Sequence, residues 1–309
     1  MRVKYVQAKS VAMHRFHPHP NPLPSGRGSE KRTIGNLQRG VTLVELLVVL
    51  TLMGVVASIG ATLVGRIVAG QQDNRGRLVL AMMADAAVAG MADDLARALP
   101  NSLRLTGNGA GVWIEIVPVL DGGRYRAAPD TVNASPGDPL DLDNAADNSF
   151  DVIGTALAAS TAGKELVFNN LGTPEADVYT GNNRRGGIVL ASGGRQVAFT
   201  AAGALPAAST QPRFFVVGTP ITLACVAVAG GFELRRYTGY GWLASQPAST
   251  AALAGAGSSL QLGGLTGCSA SYSNALANIG LLNLRLKAGA AGSSTVMELL
   301  HQLPVDNAP

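Results

Sequence analysis

Hydrophobic and polar positions change their rhythm twice along this chain. From Leu46 to Gly65, 20 consecutive residues carry no charge, which at about 1.5 Å rise per residue is the length that crosses a bilayer core. No later stretch is as long and apolar. A helical period follows: Leu78, Ala81, Met82, Val88, Met91, Leu95 and Leu99 recur at helix spacing, with Arg77, Asp85, Asp93 and Asp94 off that face. Pro100 cannot continue a helix and closes it. The pattern predicts one helix over 42–98, roughly 85 Å long, its first half embedded in a membrane and its second half packed on a sheet. Gly54, Gly60, Gly65, Gly70 and Gly76 fall inside it, each weakening it by about 1 kcal/mol relative to alanine. They read either as a flexible zone between membrane and head or as sites of close helix packing.

After Pro100 the texture changes to short β-like runs divided by turn residues. "SLRLTG", "GVWIEIVPVL", "ELVFNN", "GGIVLAS", "RQVAFT", "RFFVVG", "ITLACVAVA", "FELRRYTG", "IGLLNLRLKA" and "TVMELLHQLPV" are the candidate strands. Their spacing predicts an antiparallel sheet rather than alternating βαβ units. With 47% hydrophobic residues, only 14% charged and 38 glycines, the composition fits a β-rich head with generous loops. The expected class is α+β: a long N-terminal helix packed on an antiparallel head that occupies 100–309.

Charge changes the picture only at the front. Residues 1–40 hold eight basic side chains against Glu30 alone, so the net +4 divides into +7 there and −3 in the remainder. A nucleic-acid partner is therefore not expected, and the positive-inside rule keeps the N-terminus cytoplasmic and sends the head across the membrane. The stretch "HRFHPHPNPLPSGRGSE", rich in proline, reads as an over-extended start rather than a helix. His301 is the only histidine after residue 19, so a histidine-based metal site or triad in the head is excluded as an expectation. Cys225 and Cys268 stand far apart, with no CxxC spacing. One structural disulfide fits them in an oxidising compartment, closing a loop of about 40 residues for about 4 kcal/mol on the entropy model. Two free buried thiols are the alternative. The bridge would pin a late loop, "LTGCSASYS", to a strand.

The junction before the apolar run is distinctive. "RG" followed by "VTLVE" (39–45) resembles the prepilin-type cleavage and methylation motif of type IV pilins and type II secretion pseudopilins. The resemblance implies a leader over 1–40 cut after Gly40 by a prepilin peptidase, Val41 as the new, methylated N-terminus, and a transmembrane segment at about 43–65. Val41 departs from the family's usual phenylalanine. An ionised carboxylate in a membrane is unfavourable by a few kcal/mol and normally has a partner. Cleavage makes one, because Glu45 lies one helical turn, about 6 Å, from the new α-amino group. By resemblance, that amine comes from a neighbouring helix and the pairing adds subunits to a filament.

"DDLARALPNSLRL" (93–105), "DGGRYR" (121–126), "DNSFDVIG" (147–154), "LRRYTGYGW" (234–242), "CSASY" (268–272) and "MELLHQLPVDNAP" (297–309) are similar to minor pilins of MSHA-type pilus biogenesis. This implies other major and minor pilins and an inner-membrane assembly platform as partners, no cofactor and no enzymatic activity. A large type II secretion pseudopilin is the alternative of the same architecture, and a membrane-anchored periplasmic enzyme or binding protein the distant one. "DPLDLDNAADNSFD" offers Asp141, Asp143 and Asp147 as a weak calcium candidate, but lacks the glycine and glutamate of an EF-hand and reads rather as a solvated loop. Tyr237, Tyr240 and Trp242 form either a contact patch or strand-core packing. The arginine pairs beginning at Arg184 and Arg235 read as solvated faces, and no GxSxG elbow is present.

Overall fold

The computed structural model describes residues 40–132, 135–201, 203–206, 211–276, 278–289 and 296–308, so all of the expected leader but Gly40 lies outside the described residues. The chain divides into two compact units, Met1–Ala61 and Thr62–Pro309. Helix α1 (Leu43–Ala96) is unbroken. In the first unit its side chains are exposed, with Leu43, Val44 and Met53 all largely open. It is the one helix among the described residues that is long and apolar enough to cross a membrane. A Cβ added at Gly54, Gly60, Gly65 or Gly70 would meet nothing, so these glycines serve no close approach within the chain itself.

In the second unit, Ala84, Ala87, Val88, Met91 and Leu95 form a buried stripe at helical spacing. This corrects the expected face at its beginning, because Leu78 and Met82 are exposed. Small Ala84 and Ala87 let the sheet approach where Met82 would have held it off. After Ala96 the chain is pulled out of the helix. The Leu99 N–H donates to the Val117 carbonyl (2.7 Å) and the Val119 N–H to the Arg97 carbonyl (2.7 Å), and Pro100 favours an extended residue before it.

In chain order the strands are β1 (Arg104–Asn108), β2 (Gly111–Ile116), β3 (Val119–Tyr125), β4 (Ser149–Ile153), β5 (Glu165–Phe168), β6 (Arg184–Arg185), β7 (Val189–Ala191), β8 (Gln196–Ala198), β9 (Arg213–Val217), β10 (Ile221–Val228), β11 (Gly231–Thr238), β12 (Gly257–Leu276), β13 (Ile279–Gly289) and β14 (Val296–Asp306). They make two seven-stranded sheets, ordered β1-β2-β10-β11-β12-β13-β14 and β6-β5-β9-β3-β4-β8-β7, in which all pairings among named strands are antiparallel. Because β2 pairs directly with β10, the whole second sheet is an insertion between two neighbouring strands of the first. The α+β class stands, with a second sheet where loop-rich insertions were expected.

Four of the fourteen strands were not anticipated as separate elements; of β3 only Val119 and Leu120 fall in an expected run, "GVWIEIVPVL". β12 takes up "LTGCSASYS", so Cys268 lies in a strand and not in a late loop. Its glycines and serines lack the β-branched signature, and its register shifts against β11 and β13 mark bulges that glycine accommodates. β4 takes up the end of the aspartate-rich stretch, where Phe150 and Val152 turn inward and Asp151 outward. β6 is a two-residue strand built from the Arg184–Arg185 pair.

The first sheet buries Val112, Ile114, Ile116, Leu223, Leu284 and Leu286 against α1. The second is centred on Tyr125, Phe150, Phe168, Phe199 and Phe214, whose rings meet edge-on or tilted at 4.9–6.2 Å. A third cluster, Leu99, Val117, Val167, Val178, Tyr179 and Val217, joins the two.

Candidate functional site

At the N-terminal junction Gly40, Val41 and Thr42 precede the helix, and all are exposed. Helix α1 therefore begins two residues past Val41, not at it. Thr42 is the cap: its Oγ1 accepts from the Glu45 N–H (3.2 Å) and its carbonyl from the Leu46 N–H (3.1 Å). The spacing Thr42-x-x-Glu45 is that of a capping box. The signal is local and stands in the sequence itself. Glu45 thus sits in the first helical turn, where the unpaired N–H groups and the helix dipole favour a negative charge. Its side chain is open to solvent, available to a cation from outside the helix.

In the head, Cys225 on β10 is bonded to Cys268 on β12, with Cα atoms 6.6 Å apart. The bridge spans the two strands that flank β11. Of the two alternatives for these cysteines, the disulfide is therefore the one formed. Gly111, beside it on β2, has φ of +144°, and a Cβ there would overlap the Cys225 carbonyl oxygen, so this position admits only glycine without strain.

A buried polar network lies on the far face of β2. Glu115 has no exposed surface. It accepts from Arg104 Nε (2.8 Å) and from the Tyr240 hydroxyl (2.9 Å), which in turn lies 2.8 Å from Thr222 Oγ1. Arg104 also donates to the carbonyls of Ala244 (2.7 Å) and Leu243 (3.0 Å), and its guanidinium lies over the Tyr179 ring at 3.5 Å. Tyr179 meets Trp242 edge-on at 6.4 Å, and Arg184 covers Trp242 at 3.7 Å while pairing with Glu165 at 2.5 Å. An arginine–tyrosine–tryptophan–arginine stack thus runs from the first sheet to the second. Burial pushes the Glu115 carboxyl above the usual carboxylate range, opposed by Arg104. Burial likewise raises the phenols of Tyr240 and Tyr179.

The aromatic group divides accordingly. Tyr237 is core, 6.5 Å from the Trp113 ring, whereas Tyr240 and Trp242 belong to the segment that carries the network. The arginine pairs are not solvated faces. Arg185 is buried and donates to the carbonyls of Asn182, Arg184, Gly203 and Ala204 (2.8–3.1 Å), and Arg236 holds Asp94 of α1 through Nε at 2.7 Å. Planar guanidinium groups are buried here because several carbonyls and carboxylates satisfy their donors. Arg104, Glu115 and residues 243–246 escaped sequence reasoning, and Tyr240 and Trp242 were legible only as an aromatic group, since partners 125–142 positions apart leave no local signal.

The aspartates of the weak calcium candidate are used in turns. Asp147 accepts from the Asp141 N–H (2.7 Å) and Asp141 from the Asp143 N–H (3.1 Å). Among the described residues no group of three or more His, Cys, Asp or Glu side chains is gathered to hold a metal. Three open grooves on the head, of about 440, 360 and 420 Å³, have neither histidine nor cysteine in their linings.

Residues 35–61 match the family model described as the prokaryotic N-terminal methylation motif. No curated protein matches the chain, and no solved structure matches it. The motif implies processing by prepilin peptidase and assembly with other pilins, and its family is structural rather than catalytic. Together with an apolar helix of membrane-crossing length that suits membrane anchoring and an antiparallel β head, the motif supports a type IV pilin-like protein, a pilin or pseudopilin subunit.

Proposed function

We propose that this chain is a minor pilin of an MSHA-type IV pilus, of the MshO kind, that takes part in pilus assembly or initiation. In this reading residues 1–40 are the leader, the peptidase cuts between Gly40 and Val41, and Val41 is methylated. The segment 43–65 then holds the subunit in the inner membrane, with the head over 100–309 in the periplasm until assembly carries it to the cell surface. The observation that carries the reading is the junction: a glycine, then a Thr42-capped helix with Glu45 in its first turn, then an uncharged run. Such a carboxylate is disfavoured in hydrocarbon unless it meets a cation, and the α-amino group of a neighbouring subunit is the one that cleavage creates. The doubled sheet makes a bulky head, which fits the filament tip better than a close-packed shaft.

Co-expression with a prepilin peptidase, followed by mass spectrometry of the mature N-terminus, tests the processing. A methylated Val41 is expected, and an intact leader or a cut beyond residue 57 would overturn it. A large type II secretion pseudopilin shares the junction and is separated by deletion of the gene: loss of surface pili with intact exoprotein release supports the pilus, and the reverse outcome supports secretion.

A further inference from the structure

The two edges of the first sheet are treated differently. Along β1 the chain covers itself: Arg104 reaches the carbonyls of Leu243 and Ala244, Gln246 Nε2 donates to the Arg104 carbonyl (3.0 Å), and Asn108 Nδ2 donates to the Ala248 carbonyl (2.9 Å). At the opposite edge, β14 pairs with β13 through eleven consecutive residue pairs without a register shift. Among the described residues no strand pairs with its outer side. The Asn307 N–H donates to the Asn278 carbonyl (2.9 Å), which fixes the alternation. Met297, Leu299, His301, Leu303 and Val305 turn their backbone groups to β13, and Val296, Glu298, Leu300 and Gln302 turn theirs outward. Pro304, which has no N–H to offer, falls on an outward position, where an edge strand tolerates it. Between Val296 and Gln302 the edge is long, regular and free of proline, and it exposes Val296 (53%) and Leu300 (58%). Proteins normally blunt such an edge with charge or proline, because it is a template for another strand; here the one carboxylate between Val296 and Gln302, Glu298, is taken up by Arg285 (2.8 Å) and Lys287 (3.8 Å) of β13.

We propose that the β14 edge is an assembly surface that receives an extended strand from the head of a different pilin-type subunit, with apolar side chains beside Val296 and Leu300. This rests on the reading of the chain as a pilin-like subunit. A second copy is disfavoured by symmetry. Two identical edges pair antiparallel about a two-fold axis normal to the sheet, which would reverse the helical stripe Ala84–Leu95 packed on that sheet, whereas the heads of one head-to-tail filament share a single direction. Backbone pairing supplies affinity in such strand addition, and the alternate side chains supply selectivity.

The test uses the full chain, produced with its prepilin peptidase and the other pilin subunits of its own system, with a photo-crosslinking residue at Gln302. The expected adduct joins Gln302 to an extended head segment of another pilin subunit. Leu300→Pro removes one outward N–H and leaves the β13 ladder intact, and should lower the yield about tenfold, the equivalent of about 1.4 kcal/mol. Leu300→Lys keeps the N–H but charges the surface and should also lower it, and retention of the Cys225–Cys268 bridge on a non-reducing gel certifies folding of both variants. An adduct only with a second copy, no pilin adduct, or a yield unchanged by both variants would overturn the proposal. If Val41 is still processed in those cells, the pilin reading survives that failure. An intact leader accompanied by the pilin adduct would instead support the edge and overturn the processing.

Discussion

Two glutamates define the residue scale, and their surroundings give them opposite tasks. Glu45 is exposed in the first turn of α1 with Thr42 as its cap, so nothing within the helix satisfies its carboxylate. If that carboxylate recruits a subunit, Glu45→Ala leaves cleavage after Gly40 unchanged and reduces incorporation into filaments to background, as read by immunoblot of sheared pili. Normal incorporation would remove the pairing account. Glu115 is the contrary case, a carboxyl sealed in the head beneath Tyr240 and Arg104. Burial raises its pKa and Arg104 only partly offsets this. A carboxyl whose pKa is higher folded than unfolded contributes stability that is fully present below the ordinary glutamate range. That contribution is lost as pH rises through the raised value. Replacing it with glutamine (Glu115→Gln) should therefore flatten the dependence of the unfolding midpoint on pH above the ordinary glutamate range, and a slope equal to the wild type's would show that Glu115 is not its source.

At the scale of elements, the second half of α1 is held to the first sheet by a stripe rather than by propensity. Leu95 and Met91 are each 1% exposed, and Asp94 fixes the same turns to β11 through Arg236. Leu95→Ala should cost about 2–5 kcal/mol, measured as a shift in denaturant midpoint at constant slope, whereas Leu78→Ala on the exposed side should change it by less than about 0.5 kcal/mol. The helix was legible in the sequence because period and Pro100 agree. Its inward face was legible only from Val88 onward, because an alanine stripe at Ala84 and Ala87 carries a weaker hydrophobic signal than Leu78 and Met82, which point elsewhere. Most strands rich in β-branched and aromatic residues were equally plain, but β4 was masked by the aspartate-rich stretch it ends. β12 was not plain either, since a strand of glycine and serine is specified by its neighbours β11 and β13 and by the disulfide, none of which local propensity encodes. The junction was readable for the opposite reason: glycine, threonine, glutamate and the apolar run are contiguous. The Arg104–Glu115 network is assembled from segments that meet only after folding.

For the whole molecule, the decisive feature is that the second sheet interrupts the first between β2 and β10. An inserted sheet with its own aromatic core could unfold on its own unless it is coupled to its host. The coupling is concentrated at Trp242, which packs on the joining cluster, meets Tyr179 and lies beneath Arg184, while its neighbours Leu243 and Ala244 are held by Arg104. Trp242→Ala should remove about 3–5 kcal/mol at this join and leave the interiors of both sheets intact. The chain has two tryptophans, so the variant keeps Trp113, fully buried on β2, as a reporter of the first sheet. Hydrogen exchange of β5 and β9 reports the second. In the wild-type protein both signals should be lost in one denaturant transition. In the variant, protection of β5 and β9 should fall at lower denaturant than Trp113 fluorescence changes. Coincident transitions in Trp242→Ala would mean that the sheets are coupled through the β2–β3 and β9–β10 connections and the Leu99–Val117 cluster alone, with the stack contributing stability but no cooperativity.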